Sequence, residues 1–255
     1  MRATRAITRG ISSTFHQATV QVPSEVAIDV ALARRQHAAY VHALQSAGVE
    51  VTELPPLDAH ADCCFVEDCA LVAGGVALIT RPGALSRVGE EVAVGAALAR
   101  WLRVETMSAP ATLDGGDCMR LGKTWFVGRT PRTNAAGAAR VAEVFEPLGY
   151  RVVEVPVRDV LHLKCVCSPL DDERLVLTSG TIPPEAFHGF HVLEVPRHEL
   201  YASNVLSAND TVVMAEGFPE TRRIVAAAGF RVLALDVSEI RKADGSLTCM
   251  SVLVP

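Results

Sequence analysis

Short apolar strands that follow a glycine recur along this chain at a nearly regular spacing. "AGVEVTELPPL" around Gly48, "LGYRVVEVPV" around Gly149, "HGFHVLEVPR" around Gly189 and "AGFRVLALDV" around Gly229 share one pattern. In each, a glycine ends the preceding segment and a β-branched run begins. "ARWLRVETMS", near Trp101, is a weaker copy without the glycine. Five copies at roughly 40–50 residues each fall in the period range of propellers and solenoids. Helical spacing of apolar residues precedes several copies, in "DVALARRQHAAYVHALQSAG", "TNAAGAARVAEVFEPLG" and "PETRRIVAAAG".

Pairs of apolar strands with turn residues between them follow the copies. "CFVEDCALVAGGVALITR" turns at Gly74-Gly75, and "GDCMRLGKTWFVGR" at Gly122-Lys123. "HLKCVCSPLDDERLVLTSG" turns near Asp171-Asp172, and "YASNVLSANDTVVMAEG" at Asn209-Asp210. The fifth pair is cut short at "TCMSVLVP", and "TRAITRG" at the other end of the chain can complete it. The pattern predicts an α/β fold in one domain over residues 1–255, a five-bladed propeller of ββαβ repeats with pseudo-five-fold symmetry. The N- and C-terminal strands would pair to close the ring and remove exposed edges. The first strand of each unit would then line the axis. Asp68, Asp117, His162 to Lys164, Asn204 and Cys249 would occupy equivalent early-strand places and meet in one pocket.

Composition narrows the function. A net charge of −5 without a basic cluster argues against nucleic acid and anionic membranes as partners. The longest apolar run, "VAVGAALARWL", is too short for a membrane span and carries an arginine. "MRATRAITRG" lacks the apolar core of a secretion signal. Seven cysteines, scattered apart from the adjacent pair Cys63-Cys64 and the C-x-C pair Cys165 and Cys167, form neither a disulfide framework nor a structural zinc site, and fit a reducing cytoplasm. "HGFH", with His188 and His191, and "HADCC", with His60, Cys63 and Cys64, lack further ligands, so no metal is expected.

The polar residues inside apolar strands carry the candidate chemistry. Singly, each has an ordinary structural reading: Cys249 as a small core residue, Asp114-Gly-Gly-Asp117 as a turn, His162 as a satisfied core histidine. Lys164 reads as an ion-pair partner flanking a strand, and Asp117 and Asn204 as hydrogen-bonding supports. Together the buried acids need a common cause, because unpaired charge in an apolar strand is costly. A pocket for a cation, with a thiol beside it, supplies one.

The motifs "FVEDCALV", "LITRPGALSR", "LDGGDCM", "GRTPRTNAAG", "LHLK", "YASN" and "DGSLTCMSV" resemble dimethylarginine dimethylaminohydrolases of the guanidine-modifying (pentein) superfamily. The resemblance runs from about residue 35 to the end, in order. That family is a five-bladed α/β propeller. The resemblance implies hydrolysis of Nω,Nω-dimethyl-L-arginine and Nω-monomethyl-L-arginine to L-citrulline plus dimethylamine or methylamine. It implies Cys249 as nucleophile, His162 as general acid and base, and Asp114 as the acid that holds the histidine. Asp62, Glu67 and Asp68 match the positions that grip the guanidinium, and Arg87 and Arg132 those that hold the α-carboxylate. No cofactor is implied, the partner is the small substrate, and a homodimer stays open.

Departures from the family pattern cluster in "GISSTFHQATVQVPS", a lid region in relatives. Thr19 stands where an apolar residue is usual, and Ala243 is smaller than the usual apolar residue there. Backbone contacts to the substrate's α-amino group can survive both changes. Alternatives are a related amidino hydrolase or deiminase acting on another arginine-like guanidine, and a non-catalytic propeller resembling the ribosomal-subunit anti-association factor. Arginine deiminases carry an inserted helical domain absent here. A binding propeller has no use for a thiol, an imidazole and paired acids together.

Overall fold

The computed structural model describes residues 2–21 and 26–255; residues 22–24 of the expected lid lie outside that range. The glycine-stopped runs are the outer strands of small sheets. Strand β1 (Arg5–Arg9) and β2 (Glu50–Leu54) flank helix α1 (Val30–Ser46). The second unit contains β3 (Ala70–Ala73), β4 (Val76–Ile79), α2 (Glu91–Leu98) and β5 (Arg103–Thr106). The third contains β6 (Cys118–Leu121), β7 (Thr124–Arg129), α3 (Ala135–Phe145) and β8 (Arg151–Pro156). The fourth contains β9 (Cys167–Pro169), β10 (Arg174–Thr178) and β11 (His191–Val195). The fifth contains β12 (Leu206–Ala208), β13 (Thr211–Ala215), α4 (Pro219–Ala227) and β14 (Arg231–Leu235), and the chain ends in α5 (Ser238–Lys242) and β15 (Val252–Val254).

Among the described residues these strands form five three-stranded sheets of one design. In each, the first strand pairs antiparallel with the middle one and the third pairs parallel to it. The parallel partner requires a crossover, which the helices provide. The terminal strands do pair: Arg5 lies opposite Val254 and Ile7 opposite Val252, antiparallel, with β2 on the other edge of β1.

Local chemistry sets the helices. Asp29 caps α1 by accepting from Leu32 N at 2.9 Å. Ala33, Gln36, His37, Tyr40, Ala43 and Leu44 form its buried face, at helical spacing. Asn134 caps α3 in the same way, through Gly137 N at 2.8 Å. The stop glycines Gly48, Gly149, Gly189 and Gly229 all lie at φ between 80° and 93°, where a side chain would be strained. The fourth unit departs from ββαβ: a 3₁₀ turn at Pro184–Phe187 replaces the helix. Pro183 and Pro184 stand before and at its first position, where a missing N–H is tolerated, and the left-handed Gly189 closes the segment soon after Phe187.

The polar residues of interest sit one step before the strands. A 3₁₀ segment precedes every first strand, at Val66–Cys69, Gly115–Asp117, Leu163–Cys165, Arg197–Ser203 and Thr248–Met250. Glu67, Asp68, Lys164 and Cys249 lie in these segments, and His162 and Asn204 immediately flank them, rather than within strands as the apolar pattern suggested. A single 3₁₀ turn leaves no periodic signature, so an acid in it reads like an interruption of a strand. The segments touch one another. That of Glu67 contacts those of Cys249 and Asp117, and that of Lys164 contacts those of Asp117 and Asn204. Leu71, Met119, Pro169, Leu206 and Leu253, one from each sheet's first strand, line a single cavity of about 670 Å³.

Candidate active site

Twelve residues surround a cleft of about 380 Å³ on the side of the 3₁₀ segments away from the strands. They include Thr19, Asp62, Asp68, Arg87, Arg132, His162, Ala243 and Cys249, drawn from nearly the whole length of the chain. Glu67 lines the adjoining cavity, and Asp114 lies behind the imidazole, wholly buried.

His162 is the electrostatic centre. Its Nε2 is 3.1 Å from Asp114 Oδ2. One polar atom from each of Asp68, Asp114 and His162 lies within 4.8 Å of the others, and of these pairs only His162–Asp114 is hydrogen-bonded. Burial disfavours charge on the ring, but Asp68, the bond to Asp114 and the charge of Asp117 outweigh it, so the histidine is pushed up to about 9. It is an imidazolium at neutral pH. Gly116 makes room for it: a Cβ there would sit 2.7 Å from His162 Nδ1.

The same acids act oppositely on the thiol. Burial first, then the negative charges of Glu67 and Asp68, push Cys249 well above its ordinary value. The resting pair is thus a neutral thiol beside a charged imidazole. The turn that carries Cys249 is fastened at Thr248, whose hydroxyl donates to Glu67 at 2.7 Å and whose N–H donates to Asn204 Oδ1 at 3.0 Å. Lys164 Nζ holds the other oxygen of Glu67 at 2.6 Å, an ion pair buried on both sides. Thr248 has no signal in the sequence, because its partners are remote along the chain.

Asp68 accepts from Gly116 N at 2.8 Å and from Arg87 Nη1. Burial opposes its charge, but Arg87 and then His162 hold the carboxyl down to about 2. Arg87 is itself 5% exposed and fully engaged. Its Nε and Nη2 donate to Glu90 at 3.1 and 2.8 Å, and Nη2 also reaches Phe65 O at 2.9 Å. Arg132 is more open and has one ion pair, to Asp114 at 3.4 Å. The first part of the lid region is docked: Thr19 N donates to both oxygens of Asp62 at 3.2 Å, and Gln21 N to Asp244 at 2.6 Å. Ala243, at the end of α5, forms the opposite wall. All seven cysteines are free thiols, and none of the described helices is long and apolar enough to cross a membrane.

A family model described as N,N dimethylarginine dimethylhydrolase, eukaryotic, matches residues 11–254. The chain is similar to the N(G),N(G)-dimethylarginine dimethylaminohydrolase of Streptomyces coelicolor, 41% identical over 99% of this chain and 97% of that one. It is also similar to the enzyme of that name from Pseudomonas aeruginosa, 39% identical over 88% and 89%. A solved structure of the Pseudomonas aeruginosa protein, a cysteine-to-serine variant complexed with citrulline, superposes with a TM-score of 0.95 at 35% identity and covers both chains fully. The N-terminal domain of ArgZ, a cyanobacterial arginine dihydrolase, shares the fold at 18% identity and a TM-score of 0.86 over 99% and 98% of the two chains. On the family model and the two curated relatives, the chain belongs to the dimethylarginine dimethylaminohydrolase family.

Proposed function

We propose that this protein hydrolyses Nω,Nω-dimethyl-L-arginine and Nω-monomethyl-L-arginine to L-citrulline and the corresponding amine, through a covalent intermediate on Cys249. The observation that carries the reading is the composition of the cleft: a thiol and an imidazolium share it with Asp62 and Asp68 on one wall and Arg132 on another.

Acids and arginine suit the two ends of an amino acid with a cationic side chain. Asp68 and Asp62 accept from the planar guanidinium and hold its carbon against the sulfur. Asp62 would exchange its bond to Thr19 N for one to the substrate. Arg132 takes the α-carboxylate, with Arg87 held rigid beside it by Asp68 and Glu90. Thr19 and Ala243 offer backbone groups to the α-amino end.

The chemistry follows from the charges. The thiol is suppressed by burial and by Glu67 and Asp68, and an arriving cation offsets that field and favours the thiolate, whose proton passes to solvent because His162 already carries one. The thiolate attacks the guanidinium carbon to give a tetrahedral adduct. His162 gives its proton to the departing amine, which leaves a thiouronium on Cys249. The neutral imidazole then takes a proton from water, whose oxygen attacks the same carbon. Collapse of that adduct breaks the C–S bond, its hydroxyl proton passes to the departing thiolate or to solvent as the carbonyl forms, and citrulline is released. Asp114 keeps the ring oriented and supports its charged form through both halves. Thiol, imidazole and carboxylates suffice without a cofactor.

We also propose that the five sheets stand around one axis as a single five-bladed propeller domain closed by the β1–β15 pair, and that the enzyme works in the cytoplasm. The support is the cavity shared by all five first strands, and the seven free thiols. The test of function is citrulline release from asymmetric dimethylarginine, arginine and agmatine side by side. Turnover of the methylated substrate is expected. Turnover of arginine or agmatine alone would overturn the assignment. Cys249→Ser should bind substrate while losing at least about 10³-fold in kcat; full activity in it would remove the covalent step.

A further inference from the structure

One buried carboxylate gathers the backbone of three residues of the site. Asp117 is wholly buried, behind the residues that line the cleft. Its Oδ1 accepts from Leu163 N at 3.1 Å, the first N–H of the 3₁₀ segment that follows His162. Such an N–H has no partner within its own turn and the His162 side chain does not cap it, so Asp117 does. Its Oδ2 accepts from the hydroxyls of Thr130 and Thr133, both at 2.6 Å. These threonines are the two feet of the turn that carries Arg132. They pair as an isolated bridge, and Thr133 N donates to Thr130 O at 3.2 Å. Each hydroxyl also accepts: Thr130 takes Arg132 N at 3.1 Å, and Thr133 takes Asp114 N at 3.4 Å. Gly128 lets these segments close on one another, since a Cβ there would meet Leu163 Cβ at 2.9 Å and Asp117 Oδ1 at 3.2 Å.

We propose that Asp117 is a positioning residue that fixes the distance between Arg132 and His162, and through it the side-chain length of the guanidino acid the cleft accepts. The proposal rests on the reaction given above, in which Arg132 takes the α-carboxylate and His162 serves the guanidinium. The span between those two groups must then match the arginine side chain.

The geometry gives that span few other supports. Neither Arg132 nor His162 lies in a strand or an α-helix, so no ladder of hydrogen bonds sets the position of either. A side-chain link runs in parallel, because Asp114 Oδ2 bonds both His162 and Arg132. At the arginine that link is 3.4 Å long, against 2.6 Å for the threonine bonds to Asp117. Every hydrogen bond Asp117 receives on its carboxylate comes from a donor, as suits an ionised group that acts as a fixed joint.

The test compares kcat and KM for Nω,Nω-dimethyl-L-arginine with those for its homologue one methylene longer. An added methylene lengthens the side chain by about 1 Å, and misplacement on that scale costs about 10²-fold, so the wild type should prefer the arginine derivative by roughly that factor in kcat/KM. The pair Thr130→Val and Thr133→Val removes both hydroxyls while keeping the shape of the turn and the charge of Asp117. Arg132 and the acids still bind their ends of the substrate, so kcat for dimethylarginine should fall at least about 10-fold while KM rises less than about 3-fold. The length preference should shrink at least about 10-fold. The pair Thr130→Ser and Thr133→Ser keeps the hydroxyls and should keep the preference. Asp117→Asn also removes a charge near His162. That change acts on both substrates alike, so this variant reads the same ratio should the valine pair fold poorly. Equal losses on the two substrates, or a preference within about 3-fold of wild type in a variant with native circular dichroism, overturn the spacing role while the reaction stands. So does a wild type that takes both lengths equally, or a longer homologue that none of the variants turns over. No citrulline from dimethylarginine in the wild type overturns the reaction and the spacing role together.

Discussion

Asp114→Asn changes the proposed acid–base group without changing the shape of the cleft. Asp114 is fully buried, and its oxygens serve three partners: His162 Nε2 and Arg132 Nη1 on one, Gly83 N at 2.8 Å on the other. His162 stands at about 9 against an ordinary 6.5, with Asp114 contributing both a hydrogen bond and a charge after the larger effect of Asp68. Removing both is expected to lower the histidine by on the order of 1–2 pH units. At pH 8.5 the imidazolium fraction would fall from roughly three-quarters to roughly a tenth. The amide also offers Arg132 no charge, so KM should rise as the arginine proposed to bind the carboxylate loses its anchor. Loss of a general acid's charge and orientation together predicts a fall of about 10–10³-fold in kcat at that pH. The assay is kcat for dimethylarginine from pH 6 to 10. The alkaline limb of the wild type should lie near the histidine's raised value and move down by 1–2 units in the variant. A limb that stays within about 0.3 units of wild type would refute the assignment of that limb to His162 and of its elevation to Asp114.

Gly116→Ala places a methyl 2.7 Å from His162 Nδ1 and 3.1 Å from Asp68 Oδ1. It should cost at least about 100-fold in kcat by displacing the ring, with citrulline release as the readout, and near-native activity would show the ring free to move. Two histidines should also bracket the stability optimum. His162, raised to about 9, contributes roughly 3 kcal/mol that is present below pH 6.5 and lost as pH rises to 9. His37, which burial lowers to about 4, gives a loss of similar size as pH falls from 6.5 to 4. Urea unfolding at pH 4.5, 6.5 and 9 should therefore peak at the middle value, and His37→Phe should flatten the acid side alone. An unchanged acid slope in that variant would assign the loss elsewhere.

The repeat was legible because its signals are local. A glycine at positive φ followed by a β-branched run marks a helix stop and an outer strand, and turn pairs such as Asn209-Asp210 mark the hairpins. Two features escaped. The missing helix of the fourth unit reflects the short run between Thr178 and the stop glycine Gly189, which the repeat pattern alone did not weigh. The 3₁₀ segments are too short to show a period, so Glu67 and Asp68 read as strand residues. In the site, motif resemblance named the residues but not their pairings. That Glu67 is held by Lys164 and Thr248, or that Arg87 is enclosed by Asp68 and Glu90, depends on contacts between sheets that no single segment encodes.

Those pairings bear on how the proposed reaction would be held back until a suitable ligand arrives. A carboxylate beside an imidazole and a thiol cannot favour both catalytic charges. Asp68 raises the histidine, and burial followed by Glu67 and Asp68 raises the cysteine, so the acids that favour the proposed proton donor also disfavour the proposed nucleophile. A neutral ligand leaves this balance untouched. A cation between Asp68 and the sulfur alters it in the needed sense, because its charge screens the acid from the thiol at the distance where attack occurs. It also weakens the hold of Asp68 on the imidazolium and eases proton transfer to the amine. In the proposed reaction, recognition and activation are then one electrostatic event, and a positively charged planar head group would be a requirement of the chemistry as much as of binding.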